Sequence, residues 1–385
     1  MTHSGFSSIR TVFQERFGGE PRLFQSPGRI NVIGEHTDYN GGYVLPAGID
    51  LCCRVRIAPT KEARSSLIAH DLGETFEFEA TALPDACPPW AAYILGVIHS
   101  MAHRGKSVGN FNAVFTADIP IGAGLSSSAA LESVFACAFN ELFQFHFSNM
   151  ELTRIAQQAE NEFVGLQCGI MDMFASIHAK KDQALLLDCR SLDFHYVPLN
   201  MQQYVILLLD TGIKHELASS EYNVRRQECE AVVEHFNRLG HSLVSLRDLT
   251  LPLLETQRPV LDPILYARAR HVVGENQRVL DLERLVRYAD WKSAGQLMYA
   301  SHQSLRNDYS VSCPELDVLV ETVQPMNGVM GARMMGGGFG GCTINIVEQS
   351  HVDHLLETVN TVYQSKYGIL PKSYIAHTGD GACAI

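Results

Sequence analysis

Arg29, Glu35, His36 and Asp38 fall within ten positions of one another, in the stretch SPGRINVIGEHTDYNGGYVLP from Ser26 to Pro46. Apolar Ile30, Val32 and Ile33 interrupt them, as in a strand running into a glycine-rich loop. Such a cluster suits a small polyol, because each buried hydroxyl needs a donor or an acceptor. A charged surface turn accounts for the same residues equally well. His36 and Asp38 could also be two metal ligands, although no third partner is indicated.

A second stretch, Asp118 to Leu142, passes through Gly122, Ala123, Gly124 and Leu125 into Ser126, Ser127 and Ser128, then into a helical pattern from Ala129. Free N–H groups at a helix start, the helix dipole and neighbouring hydroxyls together form an anion site. Glycine lets the backbone approach a phosphate closely. The serines could merely cap the helix. The Gly/Ser run is longer than capping needs, which favours phosphate binding.

The third stretch, MMGGGFGGCTI from Met334 to Ile344, contains a formal G-x-G-x-x-G at Gly336, Gly338 and Gly341. A dinucleotide fingerprint opens a helix, yet Cys342 to Val347 reads as a strand. A glycine hairpin closing over a ligand fits better, and a purely structural hairpin stays open. Gly105-Lys106-Ser107 imitates the end of a P-loop, but the first glycine would fall on Ser100.

Short apolar strands alternating with amphipathic helices must position these residues, which indicates an α+β or α/β chain. Helices are expected at Ser4–Phe17, Trp90–Ala102, Ser127–Leu142, Leu152–Phe163, Ser219–Leu239, Pro263–His302 and Val352–Tyr367. Strands are expected near Arg22–Gln25, Leu51–Ala58, Phe111–Ala117, Ala184–Leu187, Val205–Leu209, Val329–Met335, Cys342–Val347 and Tyr374–His377. A boundary between Leu192 and Tyr204 divides the 385 residues into two domains, 1–195 and 196–385.

Composition bounds the function. The formal charge of −12, from 42 acids against 30 bases, disfavours nucleic acid as a partner. No run of 18 or more apolar residues offers a membrane span. The first twenty residues lack the apolar core of a secretory signal. Ten scattered cysteines without a C-x-x-C pair read as free thiols in a reducing compartment, hence a cytoplasmic protein.

In this order, the three stretches resemble the GHMP family of small-molecule kinases, and within it the galactokinases. GRINVIGEHTDYNGGYVLP is similar to the galactokinase signature, PIGAGLSSSAALE to the family's phosphate-binding motif and GGGFGGC to its third motif. CGIMD at 168–172, LDCRSL at 187–192, SSEYNVRRQECE at 219–230 and SLRNDYSVSCPELD at 304–317 match as well. The resemblance covers nearly the whole chain.

It implies a ribosomal-S5-like N-terminal domain and a ferredoxin-like C-terminal domain with the active site between them. It implies phosphoryl transfer from ATP to the anomeric hydroxyl of galactose by a monomer using Mg²⁺. Asp172 matches the catalytic aspartate and Arg29 the arginine beside it. Glu35, His36, Asp38, Gly169 and Tyr222 match galactose-binding positions. Gly122 to Ala129 match the ATP-phosphate loop, Trp90 an aromatic at the adenine pocket, and Ser128 with Glu160 the metal positions. Ser26, Met173 and Met335 stand where the family usually has Ala, Gln and Thr, which implies altered surroundings close to the chemistry. An N-acetylgalactosamine kinase and a non-catalytic galactose and ATP sensor are the rivals on this fold. A dinucleotide-dependent oxidoreductase is the rival on another.

Overall fold

The computed structural model describes residues 4–214 and 218–385. Its strands in chain order are β1 (Arg22–Asn31), β2 (Tyr43–Val44), β3 (Pro46–Pro59), β4 (Ser65–Ala69), β5 (Glu74–Phe78), β6 (Phe111–Ala117), β7 (Gln183–Asp188), β8 (Phe194–Pro198), β9 (Tyr204–Lys214), β10 (Val329–Met334), β11 (Gly340–Glu348), β12 (Lys372–Ala376) and β13 (Cys383–Ala384). The helices are α1 (Ser4–Phe17), α2 (Pro89–Ala102), α3 (Ser127–Leu142), α4 (Asn149–Gln158), α5 (Met171–His178), α6 (Ala218–Arg238), α7 (Leu251–Gln257), α8 (Pro263–Arg287), α9 (Trp291–Ser304), α10 (Pro314–Val323) and α11 (Val352–Tyr367).

Three sheets result. The first has the order β13-β1-β3-β6-β4-β5 and is antiparallel except where β4 lies parallel to β6. The second, β10-β11-β9-β12, is antiparallel throughout, and a small third sheet joins β2, β7 and β8. β8 straddles residues 195 and 196, and β13 returns from the far end of the chain to pair with β1 at Phe24 and Gln25.

Helix α3 has no solvated face, and each residue from Ala129 to Phe139 is buried, Glu132 and Ser133 included. A helix without a polar face has to lie inside the core. It runs between the first sheet and α2, α4 and α5, with Phe135 and Phe139 edge-on to Phe115 and Phe111. Each such ring contributes roughly 1.5–3 kcal/mol by burial. The site therefore sits on a helix that packing on all sides prevents from moving.

Two helical expectations change. The stretch Pro263–His302 is not one helix, because Ala289 adopts φ 55° and stops α8. Asp290 then caps α9, accepting from the Ser293 N–H at 3.1 Å. The stretch Leu152–Phe163 begins earlier, at the Ser148–Glu151 capping box, and ends α-helical geometry at Gln158. Beyond it, Ala159–Val164 widens into a π-turn. Strands β2, β4, β5, β8 and β13 and helices α5, α7 and α10 were not anticipated. All ten cysteines are free thiols.

Candidate active site

Gly28 lies so close to the Leu125 carbonyl that an added Cβ would sit 2.8 Å from it, and the Arg29 N–H donates to the same oxygen at 3.1 Å. β1 is thereby welded to the loop before α3. Arg29 is buried, and its guanidinium donates to Asp172 through Nε (2.7 Å) and Nη2 (2.8 Å) and to the Gly124 carbonyl through Nη1 (2.5 Å). This is the bidentate geometry that arginine supports and lysine does not. Burial disfavours the Arg29 charge, yet Asp172, Glu35 and Asp38 more than offset it and hold the group protonated. Asp172 occupies the first turn of α5, where a helix N-terminus favours negative charge.

The loop into α3 has left-handed backbone at Gly122 (φ 82°), Gly124 (74°) and Ser126 (57°). Ser126 stands at the cap position but makes no side-chain cap, because its hydroxyl donates to Asp172 instead. The serines therefore do not merely cap the helix. The N–H groups at the start of α3, around Ser127, Ser128 and Ala129, precede the first intrahelical bond and receive no side-chain cap from Ser126. Ala123 and Leu125 are buried and anchor the loop from beneath.

Beside this loop lies an apolar cavity of about 320 Å³ that includes Trp90, Tyr93, Phe115, Ile121 and Leu131 and reaches Ser127 and Ser128. The Trp90 indole N–H donates to Glu74 at 2.6 Å, which fixes the ring at the cavity wall. On the other side of Ser128 is a polar cavity of about 250 Å³. Glu35, His36, Asp38, Gly169 and Tyr222 all line it, together with Arg29 and Asp172. Every residue that the sequence placed at a sugar site thus meets around one space.

Each is held from behind. Glu35 accepts from Arg333 Nη2 at 3.0 Å and from the Gly336 N–H at 2.8 Å. His36 is buried at φ 62° and bonds the Gly337 carbonyl through Nε2 (3.2 Å) and Tyr39 through Nδ1 (2.8 Å). Burial, with His271 and Arg225 nearby, pulls His36 down to about 3, so the ring is neutral. A carbonyl only accepts, so Nε2 carries the proton and Nδ1 accepts the Tyr39 hydroxyl. Tyr39 in turn meets Tyr309 at 2.8 Å, and Tyr309 meets Cys229 at 3.1 Å. Gly169 has no room for a side chain, since a Cβ would fall on the Asp38 carboxylate. Burial and the Asp172 carboxylate push Asp38 up to about 7.

Glu160 is turned inward by the π-turn, buried, and hydrogen-bonded by Ser128 and Cys168. Burial and Asp172 push it up to about 7. Glu160 is therefore not a solvated helix charge. No cluster of three or more His, Cys, Asp or Glu suited to a metal occurs among the described residues, so Ser128 and Glu160 stand as a pair.

Two of the family departures lie beside the site and not on its surface. Met173 is fully buried against Ala129 and Ala156, and Met335 lies in the main core with its sulfur accepting the Asn31 N–H at 3.4 Å. Neither lines the polar cavity. Both are packing residues one layer behind the chemistry. Gly336 and Gly337 of the glycine hairpin line it as well, Cys168 and Met171 do so without having been singled out as site residues, and Arg333, Tyr39 and Tyr309 support it. Glu132 is fully buried, with neither carboxylate oxygen bonded to a described residue. Its place one helical turn after Ser128 was the available signal.

Comparisons with known proteins agree with this arrangement. Residues 11–59 match the galactokinase galactose-binding signature, 92–180 the GHMP kinases N terminal domain and 282–365 the GHMP kinases C terminal family. The chain is 40% identical to the galactokinase of Homo sapiens, over 98% of this chain and 95% of that one. It is 42% identical to that of Clostridium acetobutylicum, over 97% and 96%. The crystal structure of Lactococcus lactis galactokinase complexed with galactose superposes with a TM-score of 0.95 at 34% identity, covering 99% of this chain and 100% of that one. A mevalonate kinase at 16% identity and TM-score 0.63 shares the fold. The architecture is the α+β GHMP kinase fold, and the chain belongs to the galactokinase family.

Proposed function

We propose that the protein transfers the γ-phosphoryl group of ATP to the C1 hydroxyl of galactose, giving galactose 1-phosphate and ADP. The observation that carries this reading is the Arg29–Asp172 pair between a polar, hydroxyl-matching cavity and a helix start with free N–H groups. Galactose occupies the cavity of Glu35, His36, Asp38, Gly169 and Tyr222. Adenine lies against Trp90 in the apolar cavity, with the phosphates at Gly122 to Ala129. The working domains are 1–195 and 196–385, with β8 straddling the seam and β13 crossing back over it.

Asp172 accepts the proton as the C1 oxygen attacks, or holds that hydroxyl in line. Arg29 fixes the carboxylate with two N–H donors and stabilises charge on the phosphoryl oxygens. Most of the acceleration then comes from alignment and fixed charge rather than from covalent chemistry.

Ser128 and Glu160 fit Mg²⁺, which takes hard oxygen donors and keeps its other positions for phosphates and water. Held by Ser128 and Glu160, the ion would supply positive charge to neutralise the phosphates of ATP. Free cysteines throughout support a cytoplasmic setting, and a monomer is the working assembly, checked by sedimentation.

An ADP-release assay with Mg-ATP across a panel of hexoses tests the reading. Galactose is expected to give the highest kcat/KM; faster turnover of N-acetylgalactosamine overturns the choice of sugar, and no hexose-dependent ADP release overturns the kinase.

A further inference from the structure

Behind the sugar cavity lies a second polar cavity of about 410 Å³. The two share a wall made of Asp38, Cys168 and Gly169. Three arginines from three separate elements line the second cavity: Arg154 on α4, Arg190 in the turn after β7, and Arg226 on α6. In a chain of net charge −12, this convergence of positive charge is conspicuous. Asp38, on the shared wall, is the only acid lining the cavity among the described residues.

The guanidiniums are unevenly committed. Arg190 pairs with Asp248 at 2.6 Å, and Arg226 pairs with Glu230 at 3.0 Å and donates to the Gln167 carbonyl at 3.2 Å. No hydrogen bond or ion pair to a described residue holds Arg154. Gln157, Asn161 and Gln167 line the same cavity, each with one amide N–H donated to a backbone carbonyl of Cys168 or Asn161 and a second left over. Arg190 and Arg226 belong to the stretches 187–192 and 219–230, which carry the family resemblance, yet neither lines the sugar cavity.

Several guanidiniums around one cavity recognise a phosphate dianion, and neighbouring amides recognise hydroxyls. The geometry points to a second ligand site at Arg154, Arg190 and Arg226 that binds a hexose phosphate while galactose occupies the first cavity. The phosphoryl group lies among the three arginines and the hydroxyls face Gln157, Asn161 and Gln167. The nearest member of that class is the product of the proposed reaction, so the choice of probe rests on that reading.

The test is equilibrium binding of galactose 1-phosphate to the full chain held in saturating galactose, without ATP. One site per chain is expected, with affinity falling as ionic strength rises. Arg154→Glu and the double variant Arg154→Ala/Arg190→Ala should each weaken it at least tenfold. Both should leave kcat and the KM for galactose at wild-type values, which also shows that the variants fold. Complete displacement of the phosphate by galactose, or unchanged binding in both variants, overturns the site. Equal affinity for inorganic phosphate overturns the sugar part of the assignment. Galactose turnover by the same preparation tests the kinase reading separately, because the binding measurement needs no turnover.

Discussion

The Asp172 carboxylate collects two N–H bonds from Arg29 and a hydroxyl from Ser126, so its position does not depend on substrate. Asn in its place keeps the shape but loses the charge and the base. Asp172→Asn should lower kcat by several orders of magnitude, about 4 kcal/mol or more of transition-state stabilisation, with the KM for galactose nearly unchanged. Steady-state kinetics decide this, and unaltered kcat removes Asp172 from its role. Asp38 behaves differently. Burial and Asp172 raise it to about 7, against the opposing pull of Arg29. The stability it lends the empty protein is full below the ordinary carboxylate range and is lost as pH rises through about 7. Sugar hydroxyls donate to the charged form, so the KM for galactose should fall over that same rise and stay flat in Asp38→Asn. A flat profile in the wild type counts against Asp38 as an acceptor. At this scale much was legible: Arg29, Glu35, His36 and Asp38 lie in one short segment whose polar density is visible in the sequence. Glu160 and Gly169 were not readable without the resemblance, because what distinguishes them is burial and contact with residues distant in sequence.

The elements explain why isolated residues mislead. Residues 168–170 fit against Asp38 only because position 169 lacks a side chain. Gly169→Ala should raise the KM for galactose at least tenfold, about 1.4 kcal/mol, while thermal unfolding stays close to wild type. A larger loss of stability than of sugar affinity points to a purely structural role. At Ala289 the exposed, left-handed backbone between α8 and α9 carries a Cβ penalty that glycine avoids. Ala289→Gly should therefore stabilise the protein by up to about 1 kcal/mol in chemical denaturation. An unchanged midpoint means that the extra backbone freedom of glycine cancels the relief. Periodicity located α1, α2, α6 and α11 nearly to the residue, because each carries a continuous apolar stripe, and α3 stood out by its long, largely apolar run. It missed the break at Ala289, where the helical pattern continues and only the Asp290 cap marks a new start. It missed β5, a short edge strand with one solvated face, and β4, a five-residue inner strand that opens on two serines and so carries little apolar signal.

Across the whole molecule, one buried side chain ties the halves together. Arg333 on β10 donates to the carbonyls of Asn31 and Val32 on the first half, to Met334 and to Glu35. Arg333→Met should cost about 3–5 kcal/mol in unfolding free energy, because it leaves Glu35 buried without its partner. Arg333→Met/Glu35→Gln should recover part of that loss, and a double variant no better than the single one means that the stranded carbonyls dominate. Nothing in the local sequence around Arg333 announces this tie, since its partners lie about three hundred residues away. β13 spans a similar distance. It supplies an edge strand of the first sheet, and the segment leading to it bonds Gly48, Ala179 and Ser176 through the N–H groups of Gly379, Gly381 and Ala382. During synthesis, chain folding proceeds from the N-terminus as residues emerge. The first sheet thus leaves the ribosome with one edge of β1 open, and that edge stays unpaired until residue 384 has emerged. A nascent chain stalled between the two halves should bind chaperones and aggregate more readily than its buried core suggests.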